Sequence, residues 1–241
     1  MIIASNVTKK FGKLTALNNV SLTCNRGECI ALVGPNGSGK TTIIKSILGM
    51  VVPDSGFITF NGNNILHVWH YRNHIGYMPQ IGRYPDNMTI GDVIEMMKDI
   101  RSDAISLDDD LIVSFGITDL YNKRMRTLSG GTRQKVSACL AFLFNPSVLI
   151  LDEPTAGLDP VSSEIFKEKI ISEKNKGKLI LITSHVLSEL DELVTQLVYM
   201  QDGQLLFHKT IDQLCFDTGE KKLTKAVASV MGQSKITSFG L

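Results

Sequence analysis

Hydrophobic and polar positions alternate along several short stretches of the chain in the way that β-strands require. Over 20–24 every second residue is apolar, which is the period of a half-buried strand. Mostly apolar runs at 28–33, 147–151 and 178–183 predict strands that are buried on both faces. The pattern over 196–209 predicts a hairpin, because an Asp-Gly pair lies at its centre.

Apolar residues at helical spacing fill the intervals between these strands. A helix is predicted to begin at Lys40 and to end near Gly49, and others are predicted near 160–176 and 186–194. Residues 86–146 are predicted to form a helical insertion with a polar face. Since strands that alternate with helices build a mainly parallel, covered sheet, the chain is expected to have an α/β fold.

The composition is that of a globular protein and argues against several classes. The chain has 241 residues, of which 43% are apolar, with 25 basic against 24 acidic side chains. This balance gives no electrostatic reason to expect nucleic acid as a partner. The longest apolar run, 138–144, is far shorter than the ~20 residues of a membrane-spanning helix, so the chain is expected not to cross a bilayer by itself. The first ten residues lack a signal-peptide pattern, and cysteines without a C-x-x-C pair are expected to be reduced thiols in the cytosol.

The strongest chemical signal is the segment 34–41, Gly-Pro-Asn-Gly-Ser-Gly-Lys-Thr, which matches the phosphate-loop pattern G-x-x-x-x-G-K-[ST] at every fixed position. It follows a predicted strand and opens a predicted helix, as the pattern requires. Glycines let backbone N–H groups surround phosphate oxygens, and the positive end of the helix faces the same anion. Lys40 is expected to place its charge at the β- and γ-phosphates of ATP, and Thr41 to offer a hydroxyl to Mg²⁺. A glycine-rich turn that binds nothing is the competing interpretation, and the complete pattern in this context disfavours it.

Two adjacent acids follow the predicted strand 147–151. Ligands bind at the carboxyl ends of strands in open α/β sheets, and neighbouring strand residues point to opposite faces, so the two acids can have different roles. Asp152 is expected to hold Mg²⁺ through water, and Glu153 to accept a proton from an attacking water. The alternative is a solvated strand end without chemistry.

Four further segments resemble motifs of the ABC family of ATPases. Leu-Ser-Gly-Gly at 128–131 looks like the signature motif, and Gln80 looks like the Q-loop glutamine. Ala-Gly-Leu-Asp-Pro at 156–160 resembles the D-loop, and Thr-Ser-His at 183–185 resembles the switch-histidine segment. Each motif alone is weak, but all occur in the family's order over most of the chain.

The resemblance implies a P-loop NTPase fold of the ABC ATPase type. Such a fold has a mainly parallel core sheet, an N-terminal antiparallel β subdomain and a helical insertion, here at about 86–146. The nucleotide-binding domain is expected to span 1–218. Residues 219–241 are expected to be a polar C-terminal tail of unknown role, with one weakly amphipathic piece around Leu223, Val227 and Val230.

The same resemblance implies a role for each matching residue. Gln80, Glu153 and His185 would take part in catalysis, and Thr41, Gln80 and Asp152 would hold Mg²⁺. The residues implied to contact ATP are Phe11, Gly34, Asn36, Gly37, Ser38, Gly39, Lys40, Thr41, Thr42, Ser129, Gly131 and Asp159.

For three of these residues the implied role is specific: Phe11, Gln80 and His185. Phe11 would stack on the adenine ring, and plain packing is the alternative. Gln80 would sense the γ-phosphate at the junction with the insertion. His185 would donate a hydrogen bond to the γ-phosphate and hold the attacking water in line, although a lone histidine after a strand is more often structural.

The signature segment implies a dimer. Ser129 and Gly131 precede a predicted helix, and in the family they face the nucleotide of the opposite subunit. A head-to-tail homodimer would therefore bury two ATP molecules, and Asp159 would couple the two sites. The family often has Gln after the signature glycines, whereas this chain has Thr132, which changes the fine contacts of the loop.

The expected partner is an integral membrane permease, with the chain bound at the cytoplasmic face of the inner membrane. The chain has a single nucleotide domain and no heptad insertion, and 80–100 resembles the family's docking surface, with a mobile surface loop as the alternative. Residues 75–88 resemble the ATPase subunit of the copper-site maturation transporter of nitrous-oxide reductase. A metal site at His67, His70 and His74 is disfavoured, because no acidic or cysteine partner accompanies them. The runner-up function is a soluble ABC ATPase of iron–sulfur or other assembly.

Overall fold

The computed structural model describes residues 1–102, 106–184 and 186–237 of the chain. Within this part the strands are β1 Ile2–Phe11, β2 Leu14–Cys24, β3 Cys29–Val33, β4 Ser55–Phe60, β5 Asn63–Asn64, β6 Ile75–Met78, β7 Val148–Asp152, β8 Leu179–Thr183, β9 Gln196–Gln201 and β10 Gln204–Thr210. The α-helices are α1 Lys40–Ile47, α2 Ile90–Ile100, α3 Asp110–Ser114, α4 Gly130–Phe142, α5 Pro160–Asn175, α6 Ile211–Thr218 and α7 Leu223–Thr237. The chain divides into two compact units, Met1–Leu66 with Ser184–Leu241, and His67–Thr183.

The first unit contains an antiparallel sheet at its N-terminal end, with the strand order β2-β1-β4-β5. The alternation predicted over 20–24 is present, since Val20, Leu22 and Cys24 are buried and the residues between them are exposed. Burial raises the pKa of the Cys24 thiol to about 12, so it stays protonated. This sheet is the N-terminal antiparallel β subdomain that the family resemblance implies.

The first unit also holds part of the core sheet. Strands β3 and β9 are parallel, and β10 returns antiparallel to β9. Asp202 and Gly203 both have positive φ angles, 49° and 74°, which gives the predicted hairpin turn. Helix α1 begins at Lys40, as predicted, and the chain leaves it through Gly49 with a φ of 66°.

The end of the chain differs from the sequence prediction in one place and agrees with it in another. The helix predicted over 186–194 is a single 3-10 turn at Leu187–Glu189, because so short a segment is marginal as a helix by its own propensity. The amphipathic piece expected in the tail lies in α7, which buries Leu223, Ala226 and Val227 at the spacing of one helix face.

The second unit contains three parallel strands in the order β8-β7-β6, with α2, α3, α4 and α5 around them. Residues of β7 and β8 are buried throughout, as the apolar runs predict. Thr89 begins α2 with a capping box, in which its side chain and that of Asp92 each accept a hydrogen bond from the other's backbone N–H. Phe142 of α4 and Phe166 of α5 meet edge to face at 5.7 Å in the core of this unit.

A buried ion cluster ties α5 to the segment before α3. Lys169 Nζ lies 2.6 Å from Asp108 Oδ2 and 3.2 Å from Glu173 Oε1. Burial opposes ionisation of Glu173, but hydrogen bonds from Lys176 and Lys178 outweigh it and lower the pKa of the carboxyl to about 2. Since Glu173 is fully buried, removing its charge would take the carboxylate away from the largely buried ammonium of Lys178, whereas Lys169 would keep Asp108.

Candidate functional site

The segment between β3 and α1 has the backbone of a phosphate-binding loop. Gly34 has a φ of 150°, and a Cβ atom there would lie 2.0 Å from the carbonyl oxygen of Met200. Gly39 has a φ of 102°, and its Cβ would lie 2.6 Å from the carbonyl oxygen of Ala16. No other residue fits at these two positions, so the glycines are required for the loop to curl tightly ahead of α1.

Lys40 and Ser38 are the buried polar side chains of this loop. Lys40 Nζ donates hydrogen bonds to the carbonyl oxygens of Gly34 at 2.8 Å and Pro35 at 3.1 Å, so the ammonium lies over the loop's own backbone. Ser38 Oγ is buried without a hydrogen-bond partner among the described residues. A positive charge held over a ring of backbone amides at the start of a helix fits an anionic phosphate chain.

The remaining nucleotide candidates in the first unit are accessible. Asn36, Gly37 and Thr41 are exposed, and Thr42 is partly exposed. Phe11 ends β1 with half of its surface exposed, and Lys9 Nζ lies 5.5 Å from the ring centroid. The half-exposed ring is accessible to a ligand, and its stacking on adenine stays a prediction.

The two acids predicted for catalysis lie at the carboxyl end of β7 and are both buried. Thr183, at the end of β8 and paired with Asp152 in the strand register, contacts both of them. Its hydroxyl donates to Asp152 Oδ1 at 2.6 Å and accepts from the backbone N–H of Glu153 at 3.0 Å. The fully buried Thr183 therefore fixes the carboxylate of one acid and the backbone of the other.

Thr183 is a site residue to which sequence reasoning gave no role beyond membership of the switch segment. The available signal was its position, since parallel strands end at the same edge of a sheet and both predicted strands end in polar residues. The other catalytic candidate of that segment, His185, lies outside the described residues.

Gln80 follows β6, the strand beside β7, and its side chain is exposed. Met78 and Leu151 are opposite each other in the register, so Gln80 and Asp152 follow the same edge of the parallel sheet. Burial, and after it the charge of Asp152, raises the pKa of the Tyr77 hydroxyl on β6. The oxygen donors of Gln80 and Asp152 are of the type that Mg²⁺ prefers.

The signature segment begins α4. Ser129 is the N-cap, and its Oγ accepts from the backbone N–H of Thr132 at 3.2 Å and lies 2.9 Å from the Thr132 hydroxyl. Thr132, at the position where the family often has glutamine, thus adds a hydroxyl contact to the N-cap residue of α4. A Cβ at Gly131 would lie 2.7 Å from the carbonyl oxygen of Gly157, so the signature glycine allows close contact with the D-loop segment of the same chain.

Asp159 has contacts within its own chain. It caps α5 by accepting from the backbone N–H of Ser162 at 2.9 Å, and it pairs with Lys135 Nζ at 2.9 Å. The Ser162 N–H, followed by Lys135 and the Ser162 hydroxyl, holds the pKa of this carboxyl well below its usual range. Asp159 is therefore ionised and links α4 to the start of α5.

Two features are absent from residues 1–102, 106–184 and 186–237. No group of three or more His, Cys, Asp and Glu side chains is placed to hold a metal ion by itself. None of the described helices combines the length and the apolar character that crossing a membrane needs.

Comparisons with known proteins agree with this geometry. A sequence model of the ABC transporter family matches residues 17–156. The chain is 32% identical over 231 residues to the lipopolysaccharide export system ATP-binding protein LptB of Haemophilus influenzae, covering 92% of this chain and 96% of that protein. It is 32% identical over 214 residues to the lantibiotic transport ATP-binding protein SrtF of Streptococcus pyogenes, covering 88% and 92%. A solved ATP-binding subunit of an ABC transporter superposes with a TM-score of 0.88 at 25% identity, covering 96% of this chain and 99% of that one.

Proposed function

We propose that this chain, which belongs to the ABC transporter family and is an ATPase, powers a membrane permease by closing and opening as a dimer in step with ATP hydrolysis. The proposal places the chain at the cytoplasmic face of the inner membrane, bound there through the permease. Its relatives LptB and SrtF are named for export and transport, which supports a transport role.

In the proposed reaction, the phosphate loop binds the triphosphate through its backbone N–H groups and Lys40. Glu153 accepts a proton from a water molecule, whose oxygen attacks the γ-phosphorus. The bond between this phosphorus and the β–γ bridging oxygen breaks, which gives ADP and inorganic phosphate. Thr41, Gln80 and Asp152 would hold Mg²⁺ through their oxygen atoms, and the ion would offset the negative charge of the phosphates.

The dimer is proposed from the signature segment. Ser129 and the N-terminus of α4 form a second anion-binding helix end in the chain, with exposed residues at Ser129 and Gly130. In the proposed head-to-tail homodimer, this helix end faces the nucleotide of the other subunit. Two-fold symmetry then gives two equivalent sites.

The observation that carries the permease part of the proposal is a groove of about 790 Å³ in the second unit. Its lining includes the apolar side chains Trp69, Tyr77, Met97, Ile100 and Phe144, and the guanidinium of Arg101. Trp69 and Ile100 are more than half exposed, at 58% and 68%, and they share one lining with the other apolar side chains, which gives a contiguous apolar surface of the kind found at interfaces.

The groove is also preorganised and adjoins the site. Arg101 donates to the carbonyl oxygen of Asn73 at 2.6 Å, and its guanidinium lies 4.4 Å from the ring centroid of Phe144. Pro79, which lines the groove, is directly followed by Gln80. A permease segment in the groove would therefore contact the backbone beside a proposed γ-phosphate sensor.

The test is co-purification from membranes of the native host, solubilised in mild detergent with ATP and Mg²⁺. We expect the tagged chain to co-purify with a multi-span membrane protein in near-equal amount. Ile100→Glu should lose that protein, while Val113→Glu should keep it, because Val113 on α3 is equally exposed at 67% but lies outside the groove lining. A soluble scaffold protein with nothing from the membrane would instead support the assembly-ATPase alternative.

The transport system to which this chain would belong can also be proposed, as a narrower version of the transport role. Residues 75–88 resemble the ATPase subunit of the copper-site maturation transporter, so we propose copper-site maturation as one candidate system. In a host that has nitrous-oxide reductase, deletion of this chain should lower the copper content of that enzyme. Unchanged copper content after deletion would reject this narrower version and leave the ATPase proposal intact.

A further inference from the structure

Glu153 has an uncommon backbone conformation. Its φ is 52°, in the left-handed region, where a residue with a Cβ is less stable by about 1–2 kcal/mol. The residue is buried, so the surrounding structure has to hold this conformation. The direction in which the carboxylate leaves the backbone depends on it.

The N–H side of Glu153 is held by Thr183, through the hydroxyl at 3.0 Å and through the carbonyl oxygen at 3.2 Å. The carbonyl side is approached by Gln134. Its Nε2 lies 3.3 Å from the carbonyl oxygen of Glu153 and 3.5 Å from that of Pro154, so one carboxamide serves two consecutive carbonyl groups. Gln134 is itself buried, at 6% exposure.

Gln134 lies on the first turns of α4, the helix that the signature segment begins. The close approach of Gly131 to Gly157 and the ion pair between Lys135 and Asp159 hold the same part of α4 against residues 157–159. The carboxamide of Gln134 is therefore carried by a helix that is fixed on both sides of it. Such a donor can orient a peptide group without contact with the reacting atoms.

We propose that Gln134 is a positioning residue for ATP hydrolysis, which holds the peptide after Glu153 and thereby aims the Glu153 carboxylate. This inference rests on the proposed role of Glu153 as the base. Loss of the carboxamide leaves two buried carbonyl oxygens without this donor. The backbone at Glu153 can then rotate away from its positive φ angle towards the commoner negative values. Nucleotide affinity should be preserved, because the phosphate loop is a separate segment of the chain.

The first experiment compares Gln134→Met with the wild-type chain in steady-state ATP hydrolysis. Methionine keeps the unbranched shape and removes the donor. The expected result is a kcat about 10- to 100-fold lower, because small misplacements of a catalytic group have effects of this size, with KM for ATP changed by less than about 2-fold. Should Gln134→Met fail to fold, Gln134→Leu serves the same purpose.

The matched control is Ser137→Ala, on the same helix. Ser137 is also buried, and its hydroxyl lies 2.7 Å from the Tyr84 hydroxyl, so this variant loses one part-buried hydrogen bond of the same helix. It should lower thermal stability about as much as Gln134→Met while keeping kcat within about 2-fold of wild type. An equal loss of kcat in both variants would overturn the proposal, since it would show a general effect of loosening α4.

A double variant separates positioning from structure. In single-turnover hydrolysis, Gln134→Met added to Glu153→Gln should lower the rate no further, because there is no longer a base to aim. An additional 10-fold loss in that background would overturn the proposal. If Glu153→Gln is inactive while Gln134→Met is as active as wild type, the positioning role of Gln134 is wrong and the base assignment stands. Near wild-type turnover of Glu153→Gln would reject the base assignment itself.

Discussion

Replacing Thr183 by valine tests the arrangement of the two acids, because valine keeps the shape of threonine and removes only the hydroxyl. In the structure this hydroxyl donates to Asp152 Oδ1 at 2.6 Å and accepts from the Glu153 N–H at 3.0 Å, at a position with no solvent exposure. A buried hydrogen bond to a carboxylate contributes about 1.5–3 kcal/mol. The Glu153 N–H keeps a second acceptor, the Thr183 carbonyl oxygen, so the loss of stability from this second hydrogen bond should be small.

The expected loss is therefore about 2–3 kcal/mol in the free energy of unfolding, or about 5–10 °C in the midpoint of thermal unfolding for a chain of this length. Denaturation in urea at pH 7, followed by circular dichroism, measures it directly. Thr183→Ser restores the hydroxyl and should recover most of the loss. A Thr183→Val protein within about 0.5 kcal/mol of wild type would refute the assigned role of this hydroxyl.

Three further predictions concern other parts of the chain. Phe11→Ala should weaken ATP binding about 5- to 30-fold in calorimetry, because one base–aromatic stack is lost. Phe57 is equally exposed on the same sheet, and Phe57→Ala should leave the affinity unchanged. Equal effects of the two substitutions would reject the stacking role. Lys40→Ala should weaken ATP binding about 10- to 100-fold, and unchanged binding would count against the phosphate loop. Glu173→Gln should destabilise the chain by about 3 kcal/mol at pH 7. Because the folded pKa of Glu173 is about 2 against an ordinary 4.5, this difference should shrink as the pH falls from about 5 towards 2, and a constant difference would contradict the assignment.

Much of the site was predictable because its elements are local in sequence. The loop 34–41 carries its glycines, lysine and following helix within a few residues, and the buried strands before Asp152 and His185 are continuous apolar runs. Parallel strands bring such ends to one edge, so the position of Thr183 beside Asp152 could have been derived from the same patterns.

Contacts over longer sequence separation could not be predicted in this way. The carboxamide of Gln134 reaches the Glu153 carbonyl across 19 positions, and Lys169 pairs with Asp108 across 61. Nothing in the sequence marks Glu153 for a positive φ, since glycine and asparagine are the residues that usually adopt it. These features depend on how α4 and α5 pack against the strands, which hydrophobic periodicity does not specify.

The measurement that tests the central claim most directly is ATP turnover and oligomeric state of Glu153→Gln beside wild type, by phosphate release and analytical ultracentrifugation with ATP and Mg²⁺. The account predicts that the variant binds ATP, forms a stable dimer and turns over at least about 100-fold more slowly than wild type, because the base is absent and the closed dimer cannot reopen. A Glu153→Gln protein that hydrolyses ATP near the wild-type rate, or that stays monomeric with saturating ATP, would contradict it.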